Sequence, residues 1–302
     1  MSFKRIAVIG AGAVGAYYGG RLAEHGHDVS FFTRSDFAAL RERGLRVKSV
    51  HGDFTLANPN VYDDTAAMPS ADLVIVSLKA TAKADYVRLV RPVVHDQSVI
   101  VCLQNGLGNE DVFADAFGNH RVFGGIAYTC INRIGPGDIS HTAHGRVRVG
   151  AFRESPFPVA QQIADMMKAA NIIAEAVEDL KWFRWQKLLW NIPFNGWGAA
   201  LDLHSAAILR NAGGEQLIRD TMAEVQRAAA AVGVTLDQSL VDANIKQTRE
   251  MGDYHSSMQL DRQAGRAMEI DAVIAEPLRQ ARAAGEGELP LISTMQRCLE
   301  AL

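Results

Sequence analysis

Lys187, Asn191 and Asn195 recur at four-residue intervals within Trp185-Gln186-Lys187-Leu188-Leu189-Trp190-Asn191-Ile192-Pro193-Phe194-Asn195. On a helix this spacing stacks an ammonium and two carboxamides along one face. Leu188, Leu189, Trp190 and Ile192 surround that face with apolar side chains, and polar groups in such a setting need partners. Pro193 lies in the same run and removes its own backbone donor, which predicts a kink beside the cluster. The plainer alternative is a half-exposed lysine with two asparagines that bond locally. Two more polar residues close apolar runs: Lys79 in Leu78-Lys79, and Asn105 in Leu103-Gln104-Asn105-Gly106. Without a ligand they would be a solvated loop lysine and a turn asparagine. Glu269 precedes the apolar pair Val273 and Ile274, and taken alone it reads as a surface carboxylate.

A different chemistry is written near the start. Gly10-Ala11-Gly12-Ala13-Val14-Gly15 is a GxGxxG segment that directly follows an apolar run and opens a helical one. Gly10 permits a tight turn, Gly12 lets backbone approach a pyrophosphate, and Gly15 lets the helix pack closely on the strand. The helix start then offers free N–H groups to phosphate. Enzymes that bind NAD place an acid at the end of the second strand for the ribose 2′-hydroxyl. Here Thr33 and Arg34 occupy that place, and a guanidinium suits a 2′-phosphate. The expected cofactor is therefore NADPH. Asp36 is the competing candidate, a ribose ligand if the strand runs further.

These groups need elements to position them. RIAVIG (5–10), DVSFFTR (28–34), ADLVIVSLK (71–79) and SVIVCLQNG (98–106) read as buried strands, and helical stretches alternate with them. That alternation predicts a Rossmann-type, doubly wound parallel sheet. Ligands of such sheets bind beyond the carboxyl ends of the strands, the edge that carries Lys79 and Asn105. RVFGGIAYTCINR and GRVRVGAF add later strands joined by a turn at Gly135, Pro136 and Gly137, and a helix near 157–170 and NIIAEAV complete the α/β part. Beyond about residue 180 the pattern is almost wholly helical. The expected organisation is a cofactor-binding domain over 1–178 and an all-α domain over 179–302.

Composition narrows the function classes. A net charge of −3 lacks the basic excess expected of a nucleic-acid or anionic-membrane binder. No apolar stretch approaches the ~20 residues of a spanning helix. Glycines interrupt the run from Ile6 to Tyr18, which argues against a signal peptide. Cys102, Cys130 and Cys298 are too scattered for a zinc or redox pair, so no metal site is expected and a reducing, cytoplasmic setting is.

Four separated segments resemble the ketopantoate reductase (2-dehydropantoate 2-reductase) family: GAGAVG, LKAT with QNG, WQKLLWN with its following asparagine, and SSMxxDxxxGRxxEID. Their order and spacing extend the resemblance over nearly the whole chain. It implies hydride transfer from NADPH to the keto carbon of a small 2-keto acid. It makes Lys187 the proton donor and Glu269 the carboxylate that engages substrate hydroxyl and lysine. Asn105, Asn191, Asn195 and Ser257 match substrate-contacting positions, and Lys79 and Asn105 lie by the cofactor. Reduction builds an alkoxide, which an adjacent ammonium both stabilises and protonates. Burial would lower the lysine pKa and Glu269 would raise it again. One departure concerns the substrate pocket. Many members follow the second asparagine with a Pro-Leu-Thr-Ala-Leu type sequence, where this chain has Gly196-Trp197-Gly198-Ala199-Ala200. Trp197 either narrows the pocket or packs in the core. The rival readings are a reductase of another branched 2-keto acid and a silent NADPH sensor, the latter opposed by the joint presence of Lys187 and Glu269. Monomer and homodimer both stay open.

Overall fold

The computed structural model describes residues 3–81 and 83–302. Its chain divides into two compact units, one running to Gln104 and resuming over Asn109–Leu180, the other comprising Asn105–Gly108 and Lys181–Leu302. The short excursion of Asn105–Gly108 into the second unit has no signature in the sequence pattern.

In the first unit the opening run forms β1 (Arg5–Ile9), followed by α1 (Ala13–Glu24), β2 (Asp28–Phe32) and α2 (Phe37–Arg43). Three short strands with no continuous apolar run come next: β3 (Leu45–Ser49), β4 (Phe54–Leu56) and β5 (Asn60–Tyr62). The alternation resumes with β6 (Ala71–Val76), α3 (Lys83–Val90), β7 (Val94–Cys102) and α4 (Asn109–Phe117). The unit closes with β8 (Val122–Gly135), β9 (Asp138–Ala151), α5 (Phe157–Ala169) and β10 (Ala174–Val177).

The sheet order is β4-β3-β9-β8-β7-β6-β1-β2-β5, with β10 added on β9. From β5 through β8 every neighbouring pair is parallel. The order reverses at β1, which lies between β2 and β6 and so creates the crevice where such sheets bind ligands. The sheet is mostly rather than wholly parallel, because β8 and β9 pair antiparallel, as do β3 and β4. The Pro136-Gly137 turn is far too short for the crossover that a parallel pair needs.

Burial explains why the central strands read as unbroken apolar runs. Ile6 and Val8 of β1 join one core with Tyr17 and Leu22 of α1 and Ile163 and Met167 of α5. Ala7 and Ile9 face the other side with Tyr86 of α3 and Phe113 of α4. Both faces of the strand are therefore covered by helices.

The second unit is helical: α6 (Leu180–Leu201), α7 (Ser205–Ile208), α8 (Ala212–Ala231), α9 (Gln238–Glu250) and α10 (Ser257–Gln263), then α11 (Glu276–Ala283) and α12 (Pro290–Glu300). A π-helical turn at Asp271–Ala275 leads into α11. α6 runs continuously through Pro193, which costs it a hydrogen bond but not its continuity. Its apolar side chains Trp185, Leu189, Ile192 and Phe194 form the core with Met222, Val225, Ile274 and Met295. Trp197 belongs to this core, and its indole N–H donates to Thr221 Oγ1 at 2.9 Å. A Cβ at Gly196 would overlap the sulfur of Met295, so a larger residue beside the tryptophan would displace that side chain.

Candidate active site

The first unit holds the phosphate turn at the carboxyl end of β1. The backbone N–H groups of Gly10 and Ala11 both donate to Phe32 O, at 3.1 and 2.9 Å, which ties the turn to the end of β2. Gly10 has φ +101°, and a Cβ there would lie 2.8 Å from Leu78 N. A Cβ at Gly15 would strike Ser77 Oγ and Gly10 O, whereas one at Gly12 would meet nothing within 4 Å. The turn is thus tight where helix and strand must approach and open at Gly12. Ala13, Val14 and Gly15 begin α1, whose first-turn N–H groups point away from any helical acceptor. Ser77 Oγ also donates to Gly10 O at 2.8 Å, a brace that sequence reasoning did not single out.

β2 ends at Phe32, so Thr33 and Arg34 lie beyond the strand. Arg34 is exposed, and among the described residues no hydrogen bond or ion pair engages its guanidinium. Asp36 is buried and bound: its carboxylate accepts from Arg133, from the Gly137 N–H and from the Ser35 hydroxyl. Lys79 is exposed, three residues past the end of β6, and its carbonyl accepts from Tyr86 Oη at 2.9 Å.

The second unit gathers Lys187, Asn105 and Glu269. Lys187 Nζ donates to Asn105 Oδ1 at 2.8 Å, and Asn105 Nδ2 donates to Glu269 Oε2 at 3.1 Å. The carboxamide therefore bridges a cation and an anion, its oxygen toward the ammonium and its nitrogen toward the carboxylate. Part of the Lys187 side chain reaches solvent, but its ammonium lies deep enough for desolvation to dominate. Burial, with repulsion from Arg184, pulls its pKa down to about 7, and attraction to Glu269 opposes the fall. Arg184 is buried one turn before Lys187 on α6 and had no distinguishing mark in the sequence.

Pro277 leaves a helix carbonyl open to the segment that carries Asn105. In the π-helical turn, Glu276 N–H bonds to Asp271 O, five residues back. The same pattern would pair Ala272 O with residue 277, but proline has no N–H to give. Ala272 O instead accepts from Leu107 N at 2.9 Å. Gly106, at φ +81°, lies against the same carbonyl, and a Cβ there would collide with it. The QNG segment is thereby anchored to the element that follows Glu269.

Asn191 and Asn195 lie on α6 with Lys187, at 6% and 4% exposure, and no hydrogen bond to their carboxamides is found among the described residues. Ser257 is exposed at the start of α10, while its neighbour Ser256 is buried and caps that helix by accepting from Gln259 N. Among the described residues there is no cluster of three or more His, Cys, Asp or Glu able to hold a metal, and no helix long and apolar enough to cross a membrane.

The family model described as "Ketopantoate reductase PanE/ApbA" matches residues 6–154, and its C-terminal counterpart matches residues 179–302. The chain belongs to the ketopantoate reductase family. A 2-dehydropantoate 2-reductase of Nostoc sp. is 34% identical over 307 residues, covering 100% of this chain and 96% of that protein. The crystal structure of 2-dehydropantoate 2-reductase from Geobacter metallireducens superposes with a TM-score of 0.95 at 39% identity, covering 98% of this chain and 99% of that one. A D-mandelate dehydrogenase solved with NADH and anilino(oxo)acetate has a TM-score of 0.89 at 20% identity, over 98% and 97% of the two chains, and shares the fold. As a ketopantoate reductase family member, this protein is a nicotinamide-dependent oxidoreductase whose substrate class is a small keto acid.

Proposed function

We propose that this protein reduces ketopantoate to (R)-pantoate with NADPH, in the cytoplasm, for pantothenate and coenzyme A synthesis. The Lys187–Asn105–Glu269 arrangement carries the reading, because a surface lysine would not be held on a carboxamide that a carboxylate also binds. The domain boundary near residue 178 separates the cofactor-binding part from the part that carries the acid.

Gly10, Ala11, Gly12, Ala13, Val14 and Gly15 would hold the pyrophosphate, Arg34 the 2′-phosphate, and Lys79 and Asn105 the nicotinamide end. The bound cofactor supplies hydride to the keto carbon. Lys187 donates a hydrogen bond to the keto oxygen, stabilises the growing negative charge and gives up its proton there. A pKa near neutrality suits it to that transfer. Asn105 aims the ammonium, and Glu269 fixes the carboxamide of Asn105 and accepts from the substrate hydroxyl. Asn191, Asn195 and Ser257 supply neutral donors for the carboxylate and hydroxyl of the acid.

A panel of branched 2-keto acids assayed with NADPH tests the substrate. Ketopantoate is expected to give the highest kcat/KM. Turnover of other acids with none of ketopantoate would overturn the assignment.

A further inference from the structure

Asp36 is the first carboxylate after β2, in the segment where an acid serves the ribose of NADH. It is only 2% exposed. Arg133 Nε reaches its Oδ1 and Oδ2 at 2.9 and 2.8 Å, and Arg133 Nη2 reaches Oδ1 at 2.6 Å. Gly137 N–H donates to Oδ2 at 3.0 Å and the Ser35 hydroxyl to Oδ1 at 2.9 Å. Burial alone would raise the Asp36 pKa, but these donors more than offset it and keep the group ionised. Arg133 lies near the end of β8 and Gly137 is in the turn to β9, so the hairpin holds the acid from 97 residues away along the chain.

We propose that Arg133 sets cofactor selectivity by withholding the Asp36 carboxylate from the ribose, which leaves Arg34 to meet a 2′-phosphate. This inference rests on the reading of NADPH as the cofactor. A released carboxylate would accept from a ribose 2′-hydroxyl and repel a 2′-phosphate. Arg133 is on this account a positioning residue, because it acts through Asp36. Its side chain is 38% exposed, so a substitution can be accommodated at the surface.

The test is the ratio of kcat/KM for NADPH to that for NADH, in folded variants of the full chain. Arg133→Gln should lower the ratio by about tenfold or more, as a like charge beside a phosphate requires, with the change in the two KM values rather than kcat. Arg133→Lys should recover part of it. Asp36→Asn combined with Arg133→Gln should restore it, because no carboxylate remains to be released. An unchanged ratio in Arg133→Gln, or a double variant no better than the single one, would overturn the proposal. If Arg133→Gln does not fold, Asp36→Asn alone decides: the NADPH preference should persist, and its loss would overturn the proposal. A wild-type enzyme that prefers NADH would sink the cofactor reading itself. A wild-type NADPH preference that Arg34→Ala abolishes and Arg133→Gln leaves intact would sink only the role of Arg133.

Discussion

Replacing Glu269 by Gln separates charge from hydrogen bonding at the proton donor. The Gln carbonyl can still accept from Asn105 Nδ2, which donates to Glu269 at 3.1 Å, so the bridge to Lys187 is kept while the negative charge is lost. Glu269 opposes the fall in the Lys187 pKa, and its removal must lower that pKa below about 7. Two unit charges separated by one carboxamide, roughly 6–8 Å, attract by about 2–3 kcal/mol at an effective dielectric constant of about 20. That corresponds to about 1.5–2 pKa units, and solvent screening at the half-buried carboxylate leaves at least about one. An acid is active only while protonated, so kcat/KM of the wild-type enzyme falls as pH rises through about 7. In Glu269→Gln the same limb should lie at least about one unit lower. The assay is kcat/KM for the keto acid from pH 5 to 9 at saturating NADPH, with protein integrity checked at each pH. An alkaline limb at the same pH in both proteins would refute the coupling between Glu269 and Lys187.

Arg34→Ala should raise the KM for NADPH by about 10–100-fold, the loss of one charge-assisted contact to phosphate, and leave NADH nearly unaffected; equal effects on both cofactors would remove Arg34 from the 2′-phosphate site. Gly106→Ala places a Cβ against Ala272 O at a φ of +81°, and should cost about 2–4 kcal/mol in chemical denaturation as well as lowering kcat. Normal stability and turnover in that variant would show that the QNG segment is not anchored there. Trp197→Phe should lose about 1–3 kcal/mol, because the Thr221 hydroxyl loses a buried partner, with kcat/KM nearly unchanged. A large change in kcat/KM at unchanged stability would put Trp197 in contact with substrate instead.

What could be read beforehand divides by range. The GAGAVG turn is local, and strand, turn and helix follow from glycine placement and one apolar run. The row of Lys187, Asn191 and Asn195 is visible because a helix repeats every 3.6 residues. Asn105 and Glu269 are 82 and 164 residues from their partners in the Lys187–Asn105 and Asn105–Glu269 bonds, so no periodicity points to them. Only the family resemblance drew them together. The anchoring of Leu107 on Ala272 depends on a π-helical turn and on the missing N–H of Pro277, a combination without a short-range signal. Nothing near Asp36 in the sequence marks it as bound, because its partner Arg133 comes from a distant hairpin. The Gly135-Pro136-Gly137 turn is legible in the sequence, and so short a link makes β8 and β9 antiparallel. β3, β4 and β5 have no signature in the sequence, because they are short and half-exposed, with no run of buried residues to mark them.

The most direct test is ketopantoate-dependent oxidation of NADPH by the wild-type protein and by Lys187→Ala, measured side by side at pH 6.5. General acid catalysis contributes about 10²-fold or more, so the variant should lose at least that much in kcat while still binding NADPH. Wild-type turnover with near-normal turnover in Lys187→Ala, or no turnover of ketopantoate by the wild type, would contradict the account.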